Sequence, residues 1–435
     1  MIPRINSSQP DFAERIKALR ESQAENLSQV DGAVADIIAD VRERGDDALL
    51  ELTRRFDDTS ATSAAELQVT PDHFEAAARA IDSLVLEALS ESVARVRAYH
   101  ERQRQQMGAG HWEYEDSLGN RLGQLVQPMR RVGIYAPGGK ATYPSTVIMT
   151  AVPARVAGVN ELVLTAPAPG DEVSDVLLAA AHLAGVDEMY LVGGAQAVAA
   201  LAYGTGMIRR VDKIVGPGNA YVAAAKRQVF GAVGIDMVAG PSEVLVVADE
   251  SANVDWLVLD LFAQAEHDEQ AQALLVTKSD ALAARVAATV TAKLPHMPRS
   301  DVIRTSLADR GAVITVQDDT EALELVNLFA PEHLELAVAD PDAFLAGVRH
   351  AGAVFLGQHS AEVVGDYTAG PSHVLPTAGT ARFASPLGVY DFITRTSVVG
   401  CSPRGAVQLG KAASILAREE GLDAHAEAAE GRVVG

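Results

Sequence analysis

A single cysteine, Cys401, occurs in the chain, so an intrachain disulfide and a zinc site built on several thiolates are both excluded. There is no basic tract: 36 Lys and Arg stand against 58 Asp and Glu, for a net charge of −22. Phosphate recognition needs clustered Lys and Arg, which argues against nucleic acid as a partner and against an anionic membrane. The acidity serves solubility. No apolar run approaches the ~18 residues of a membrane span. Met1 to Phe12 is polar where a signal peptide would be apolar, so the expectation is a cytoplasmic protein. Neither H-E-x-x-H nor G-x-G-x-x-G occurs. The first lack argues against a zinc peptidase, and the second puts any dinucleotide outside the usual Rossmann fingerprint.

What is present is ample for two or three domains: 435 residues, 48% apolar and 22% charged, an ordinary globular composition. Residues 11 to 107 read as helical. Val34, Ile37, Ile38 and Val41 follow helical spacing, Gly45 offers a stop, Asp46 an N-cap, and a further helix or pair starts at Pro71-Asp72. Trp112 to Val126 alternates around Leu118-Gly119-Asn120, which predicts a hairpin. From Val132 short apolar runs alternate with helical stretches, first at Val132–Tyr135, Glu161–Thr165, Met189–Val192, Lys213–Val215 and Gly234–Met237. A second series follows at Val244–Ala248, Ala273–Thr277, Ala312–Val316, Leu334–Val338 and Ala353–Leu356. Such alternation implies parallel sheets with helices on both faces. The expected fold is α/β, with two doubly wound, incomplete Rossmann-like parallel-sheet domains, N-terminal helices and a C-terminal helical tail. The expected division is an arm at 1–24, a first unit of 25–134 plus 242–387, a second unit at 135–241, and a tail at 388–435. The tail, with helical patterns at Gly410–Glu420 and Leu422–Glu430, is too small for its own core and must pack on something.

The chemistry concentrates in a few stretches. Gln264-Ala-Glu-His267 closes the apolar helical run Trp256 to Ala265, and residues three apart share a helix face. That face offers an amide oxygen and an imidazole nitrogen, neutral ligands for a borderline metal such as zinc. In Ala330-Pro331-Glu332-His333-Leu334 an acid and an imidazole stand side by side before a strand. Strand neighbours face opposite ways, so the backbone must turn if both serve one pocket, and Pro331 disfavours helix before it. Histidine is suited to take and return a proton near neutral pH, and a nearby Glu can activate water. Asp366 and His373 share a polar, glycine-flanked loop, and either is a plausible ligand. The tail adds Glu420 and His425. Glycines gather at strand ends (Gly138-Gly139, Gly193-Gly194, Gly216-Pro-Gly-Asn219), where α/β folds bind ligands. Tyr135, Gln196 and Asn219 lie there and could hold a ribose or carboxamide.

Together these stretches resemble the histidinol dehydrogenase family from about residue 30 to residue 430. The residues that carry the resemblance are Arg131-Val-Gly-Ile-Tyr-Ala-Pro-Gly-Gly139 with Tyr143-Pro-Ser145, Gly193-Gly-Ala-Gln-Ala197, and Gly216-Pro-Gly-Asn219 with Ala225-Lys-Arg-Gln228. Asp236-Met-Val-Ala-Gly-Pro-Ser-Glu243, Gln264-Ala-Glu-His267, Ala330-Pro-Glu-His-Leu334, Gly365-Asp-Tyr367 and His373-Val-Leu-Pro-Thr377 complete them. The resemblance implies an enzyme of histidine biosynthesis that uses zinc and NAD to oxidise L-histidinol through L-histidinal to L-histidine. By motif it implies Gln264, His267, Asp366 and His425 as zinc ligands, Tyr135, Gln196 and Asn219 as NAD contacts, and Glu332 and His333 as catalytic residues. Ser242, His333 and Glu420 would contact substrate together with the zinc ligands, and His373 matches a position that is not a ligand. It further implies a homodimer whose C-terminal tails cross between subunits. Thr146, Ala384 and Thr394 depart from the family pattern and touch none of these roles. The alternatives are a paralogous zinc and NAD-dependent dehydrogenase of another small polar alcohol, and a metal-binding protein without catalysis. Ser242 and Glu420 favour histidinol over the first, and the intact pair Glu332-His333 argues against the second.

Overall fold

A computed structural model of the chain describes residues 2–21, 29–107, 110–138 and 143–433. Gly139 and the expected boundary at 24/25 lie outside them. Two six-stranded sheets and a three-stranded one organise the fold. The first sheet runs Arg4–Asn6, Ala312–Thr315, Gln272–Thr277, Glu243–Ala248, His333–Ala337, Ala353–Leu356, with every neighbouring pair parallel. The second runs Gln68–Val69, Glu188–Tyr190, Glu161–Thr165, Arg131–Tyr135, Lys213–Val215, Gly234–Ile235, parallel except for its first, antiparallel edge strand. In each sheet, after an early edge strand, the chain enters at an inner strand, steps outward on one side, then crosses back to the other. That makes a switch point between Glu243–Ala248 and His333–Ala337, and another between Arg131–Tyr135 and Lys213–Val215.

The inner strands of the two large sheets are mostly apolar because both of their faces are covered. In Glu243–Ala248, Val244, Val246 and Ala248 enter one core while Leu245 and Val247 enter the core on the opposite face. Strand His333–Ala337 sends Leu334 and Leu336 into the second of these cores and Ala337 into the first. By period two, His333 and Glu335 share the face of Ala337, toward the helix Val254–Ala265.

The doubly wound architecture and the hairpin, Trp112–Glu115 with Arg121–Pro128, are as expected. Three features differ. Residues 4–6 form an edge strand of the first sheet and not merely an arm. Residues 393–400, expected within a helical tail, form a strand antiparallel to Arg121–Pro128; this stretch is largely exposed, so it lacks the apolar run that marks a buried strand. Finally, the helices from Asp31 to Gln106 pack on the second sheet and not with the first unit as expected, while helix Phe12–Glu21 lies on the first. Asp31–Arg44 lies against Gly194–Tyr203 and Ala220–Val229, and Ser83–Gln106 lies against Pro144–Ala157. An apolar stripe says that a helix must be covered, but not by which sheet. Among the described residues no helix is long and apolar enough to cross a membrane.

Candidate active site and metal centre

Three elements converge at the amino edge of the first sheet. Helix Val254–Ala265 starts at Asn253, whose side chain accepts from the N–H groups of Asp255 and Trp256, and it places Gln264 in its last turn, fully buried. The helix ends before His267, whose backbone N–H still bonds the Gln264 carbonyl at 3.3 Å. His267 is exposed, but its ring lies within electrostatic reach of Asp366 and His333. The second element is strand His333–Ala337. Just before it, Ala330 ends helix Asp319–Phe329 at φ 47°, a left-handed conformation rare outside glycine. That reversal and Pro331 supply the turn that lets neighbours serve one pocket: Glu332 Oε2 and His333 Nδ1 lie 3.8 Å apart, both buried. The third is the short helix Glu362–Tyr367, which presents Asp366.

Around His333 the geometry is tight. Nδ1 lies 2.9 Å from the Glu243 carbonyl and 3.4 Å from Glu362 Oε1. A carbonyl can only accept, so Nδ1 carries the proton, and Nε2 faces Asp366 Oδ1 at 3.6 Å. Glu332 Oε2 accepts the Glu243 N–H at 2.9 Å, so Glu243 on the neighbouring strand holds both Glu332 and His333 by its main chain. The Gln264 amide satisfies its surroundings with its nitrogen turned to Glu362, 2.6 Å from Oε1, which leaves its oxygen for another partner.

Burial pushes Glu332 up to about 7, Glu243 up to about 8, and Glu362 well above the usual carboxylate range. Burial works against a charged His333, but Glu362, Glu332 and Asp366 outweigh it and hold the ring's pKa well above its ordinary value. Asp366 is pushed up by burial and down by His333, and ends below its usual value. Among the described residues neither Glu332, Glu362 nor Asp366 pairs with a Lys or Arg, though an uncompensated buried charge costs several kcal/mol.

This donor set fits a divalent cation. His333, Glu362 and Asp366 each offer a ligand atom, all within 4.8 Å of one another, the Gln264 oxygen is available, and His333 Nε2 is buried without a hydrogen-bond partner. Of the expected ligands the structure brings Gln264, His267 and Asp366 to this place. His425 and Glu420 are exposed on the tail, and among the described residues no hydrogen bond or ion pair joins them to the cluster. Ser242 directly precedes strand Glu243–Ala248 and therefore stands at the same sheet edge, its carbonyl accepting the Gln272 N–H at 2.9 Å. His373 touches Asp366 through the main chain, Nδ1 lying 3.1 Å from the Asp366 carbonyl.

The expected cofactor residues occupy the carboxyl edge of the second sheet. Tyr135 ends its strand; its buried hydroxyl accepts the Gly194 N–H at 3.1 Å, and burial pushes it up to about 12. Gln196 is buried, and its Nε2 has no partner. Asn219 is exposed and caps helix Ala220–Val229, accepting from Tyr221 and Val222. Beside them Gly216, at φ 112°, runs so close to Tyr135 that a Cβ would lie 2.1 Å from the Tyr135 carbonyl oxygen. A buried ion pair clamps this glycine: Lys226 donates to its carbonyl at 2.9 Å, and Asp236 accepts its N–H at 2.7 Å.

Sequence reasoning missed Glu362 and Glu243. Glu362 stands four residues before Asp366, the spacing of one helix face, and that signal was readable. Glu243 acts largely through its backbone, which no side-chain pattern announces.

Comparisons with known proteins agree with this picture. The profile of the family described as histidinol dehydrogenase matches residues 20–433. Histidinol dehydrogenase of Chromobacterium violaceum is 57% identical over 430 residues, covering 99% of this chain and 98% of its own. That of Pseudomonas aeruginosa is 54% identical over 433 residues, covering 100% and 98%. The crystal structure of histidinol dehydrogenase from Elizabethkingia anophelis superposes with a TM-score of 0.90 at 31% identity, covering 99% of this chain and 98% of that one.

Proposed function

The chain belongs to the histidinol dehydrogenase family, and on that premise we propose that it oxidises L-histidinol through L-histidinal to L-histidine, with zinc and NAD, as a step of histidine biosynthesis. The observation that carries the reading is the pair Glu332-His333, buried beside the Gln264, Glu362 and Asp366 cluster with His333 Nε2 unpartnered and facing it. The relatives give no support to a paralogue acting on another polar alcohol.

Gln264, His267 and Asp366 would hold the zinc, with His425 of a second copy as the remaining ligand. When bound, the zinc supplies a positive anchor for the amino-imidazole end of the substrate, and NAD supplies the hydride acceptor. Everything else falls to side chains. His333 keeps Nδ1–H on the Glu243 carbonyl, so only Nε2 is open to the substrate hydroxyl, whose proton it takes as the hydride departs. Neutralising Asp366 and its neighbours frees the ring for that task, since those carboxylates otherwise hold it charged. An aldehyde has no hydride to give at the acid level until it is hydrated. Glu332, brought by burial to about 7, is poised to take a proton from water for the second oxidation. His333 then takes the hydrate's proton as the second hydride leaves. Tyr135, Gln196 and Asn219 would contact NAD at the carboxyl edge of the second sheet, and Ser242, Glu420 and the metal ligands would orient the substrate.

The tail supports a homodimer. Ser402 and Arg404 tie it to the turn at 117–120, and its two helices pack on each other, while Leu409, Ile415, Leu416 and Leu422 stay 42–65% exposed. A two-fold dimer that exchanges tails would cover these side chains and make two identical composite sites. The experiment that tests the activity offers purified protein L-histidinol and NAD and counts NADH against substrate. The expected ratio is two; a ratio of one, or no turnover, overturns the reading.

A further inference from the structure

Each of the three elements that meet at the site carries a second acid one period from its site residue. On helix Val254–Ala265 it is Asp260, four residues before Gln264. On strand His333–Ala337 it is Glu335, two residues after His333. On helix Glu362–Tyr367 it is Glu362, four residues before Asp366. Four along a helix and two along a strand keep to one face, so if the first three residues converge, the second three stack behind them. The contacts follow that logic. Glu335 Oε1 accepts the Glu362 backbone N–H at 2.9 Å, Asp260 and Glu335 are hydrogen-bonded side chain to side chain, and the Glu362 carboxylate touches both Gln264 and His333. Glu335 is 4% exposed. Burial raises both members of this pair, and two carboxyl groups that share a hydrogen bond hold one proton between them.

The helix that carries Asp366 spans only residues 362–367. It is too short to hold itself by its own ladder, because its first four N–H groups have no partner within it. The first of these, on Glu362, is the one Glu335 receives. We propose that Asp260 and Glu335 are positioning residues: their paired side chains pin the start of helix Glu362–Tyr367 and so set the Gln264 amide, the His333 ring and the Asp366 carboxylate in one geometry for the cation. The proposal rests on the reading of Gln264 and Asp366 as metal ligands.

The test measures Zn²⁺ affinity by competition with a chromophoric chelator, together with the visible spectrum of the Co²⁺-loaded protein. Glu335→Gln keeps both bonds, since its oxygen accepts from Glu362 and its amide donates to Asp260. Glu335→Leu removes both. The expected result is that Glu335→Leu weakens Zn²⁺ by about 10–100-fold, as loss of partners behind metal ligands generally does, and changes the Co²⁺ spectrum, while Glu335→Gln stays within about threefold of wild type. Asp260→Ala and Asp260→Asn form the parallel pair at a partly exposed position, and serve if Glu335→Leu does not fold. Wild-type affinity and spectrum in a folded Glu335→Leu or Asp260→Ala protein overturn the proposal, as does Glu335→Gln failing as badly as Glu335→Leu. Asp366→Asn separates the two readings. If it loses zinc while Glu335→Leu does not, the ligand assignment stands and the positioning role falls. If it binds zinc as wild type, the ligand assignment itself falls.

Discussion

The two six-stranded sheets share a winding scheme and carry their candidate residues at opposite edges. In the first they stand at the amino edge, where Glu243, Glu332, His333, Glu362 and Asp366 crowd together and burial or mutual charge displaces their titrations. In the second, the expected cofactor residues stand at the carboxyl edge, the usual ligand edge of such sheets, where Asn219 is exposed, Gln196 Nε2 has no partner and the Tyr135 hydroxyl accepts the Gly194 N–H. There the buried pair Lys226 with Asp236 is closed on itself and on Gly216. The carboxyl edge of the first sheet holds an open cavity of about 310 Å³ lined by Thr277, Lys278, Asp319 and Asp340, away from the catalytic pair. The difference is one of density: several buried acids displaced around His333 suit a cation and a proton transfer, whereas the other edge offers amides and, besides the Lys226–Asp236 pair, the buried acid Asp57 beside Gly193, raised by burial.

Substitutions should keep to the side of this division on which they fall. His333→Asn should lower the rate of both oxidations by ~10²-fold or more, the ordinary worth of a general base, with NAD affinity unchanged. Mixed with His425→Ala after reversible dissociation, it should recover activity. Random pairing makes about half the dimers hetero, each with one intact site of two, so roughly a quarter of wild-type activity returns. A mixture as dead as its parents, despite mixed dimers by mass analysis, would place His425 in its own chain's site. Next in size, Glu332→Gln should slow oxidation of L-histidinal by on the order of 10²-fold while sparing the first step; single-turnover assays on each substrate would show it, and equal losses in both steps would remove the water-activating role. On the other side, Asn219→Ala should raise the KM for NAD by about tenfold, leave kcat within about twofold and leave zinc content untouched. It should also cost about 1 kcal/mol of stability for the lost helix cap. A fall in kcat that matches His333→Asn would dissolve the distinction between the two edges.

The smallest effect concerns stability and pH in metal-free protein. Burial raises Glu243 to about 8, Glu332 to about 7 and Glu335 to about 8, against an ordinary 4.5. Between those limits the folded state binds more protons than the unfolded one, so stability is full below about 4.5 and is lost as pH rises toward 8. The melting temperature should therefore fall from pH 5 to pH 9, and Glu335→Gln, which cannot ionise, should flatten that fall by roughly 1 °C for each kcal/mol of linkage it removes. Parallel melting curves for the two proteins would show that Glu335 does not titrate in this window.

The alternation of apolar runs with helical stretches was enough to give two doubly wound units, because strands covered on both faces must be apolar whatever they pack on. The hairpin at 112–128 was legible from its turn, and Gln264, His267, Glu332, His333 and Asp366 from their spacing and from the family pattern. Strand 393–400 was not legible, since a largely exposed strand pairing with an exposed ribbon needs no apolar signal. Nor could the sequence say that the helices from Asp31 to Gln106 lie on the second sheet, because an apolar stripe fits any apolar face. Tertiary structure alone decided the electrostatics. Glu335, Glu362 and Asp260 are ordinary acids in the sequence, and each stands one period from a site residue. Only the convergence of three elements buries them together, and burial in company, not residue type, moves a carboxyl from 4.5 toward 8.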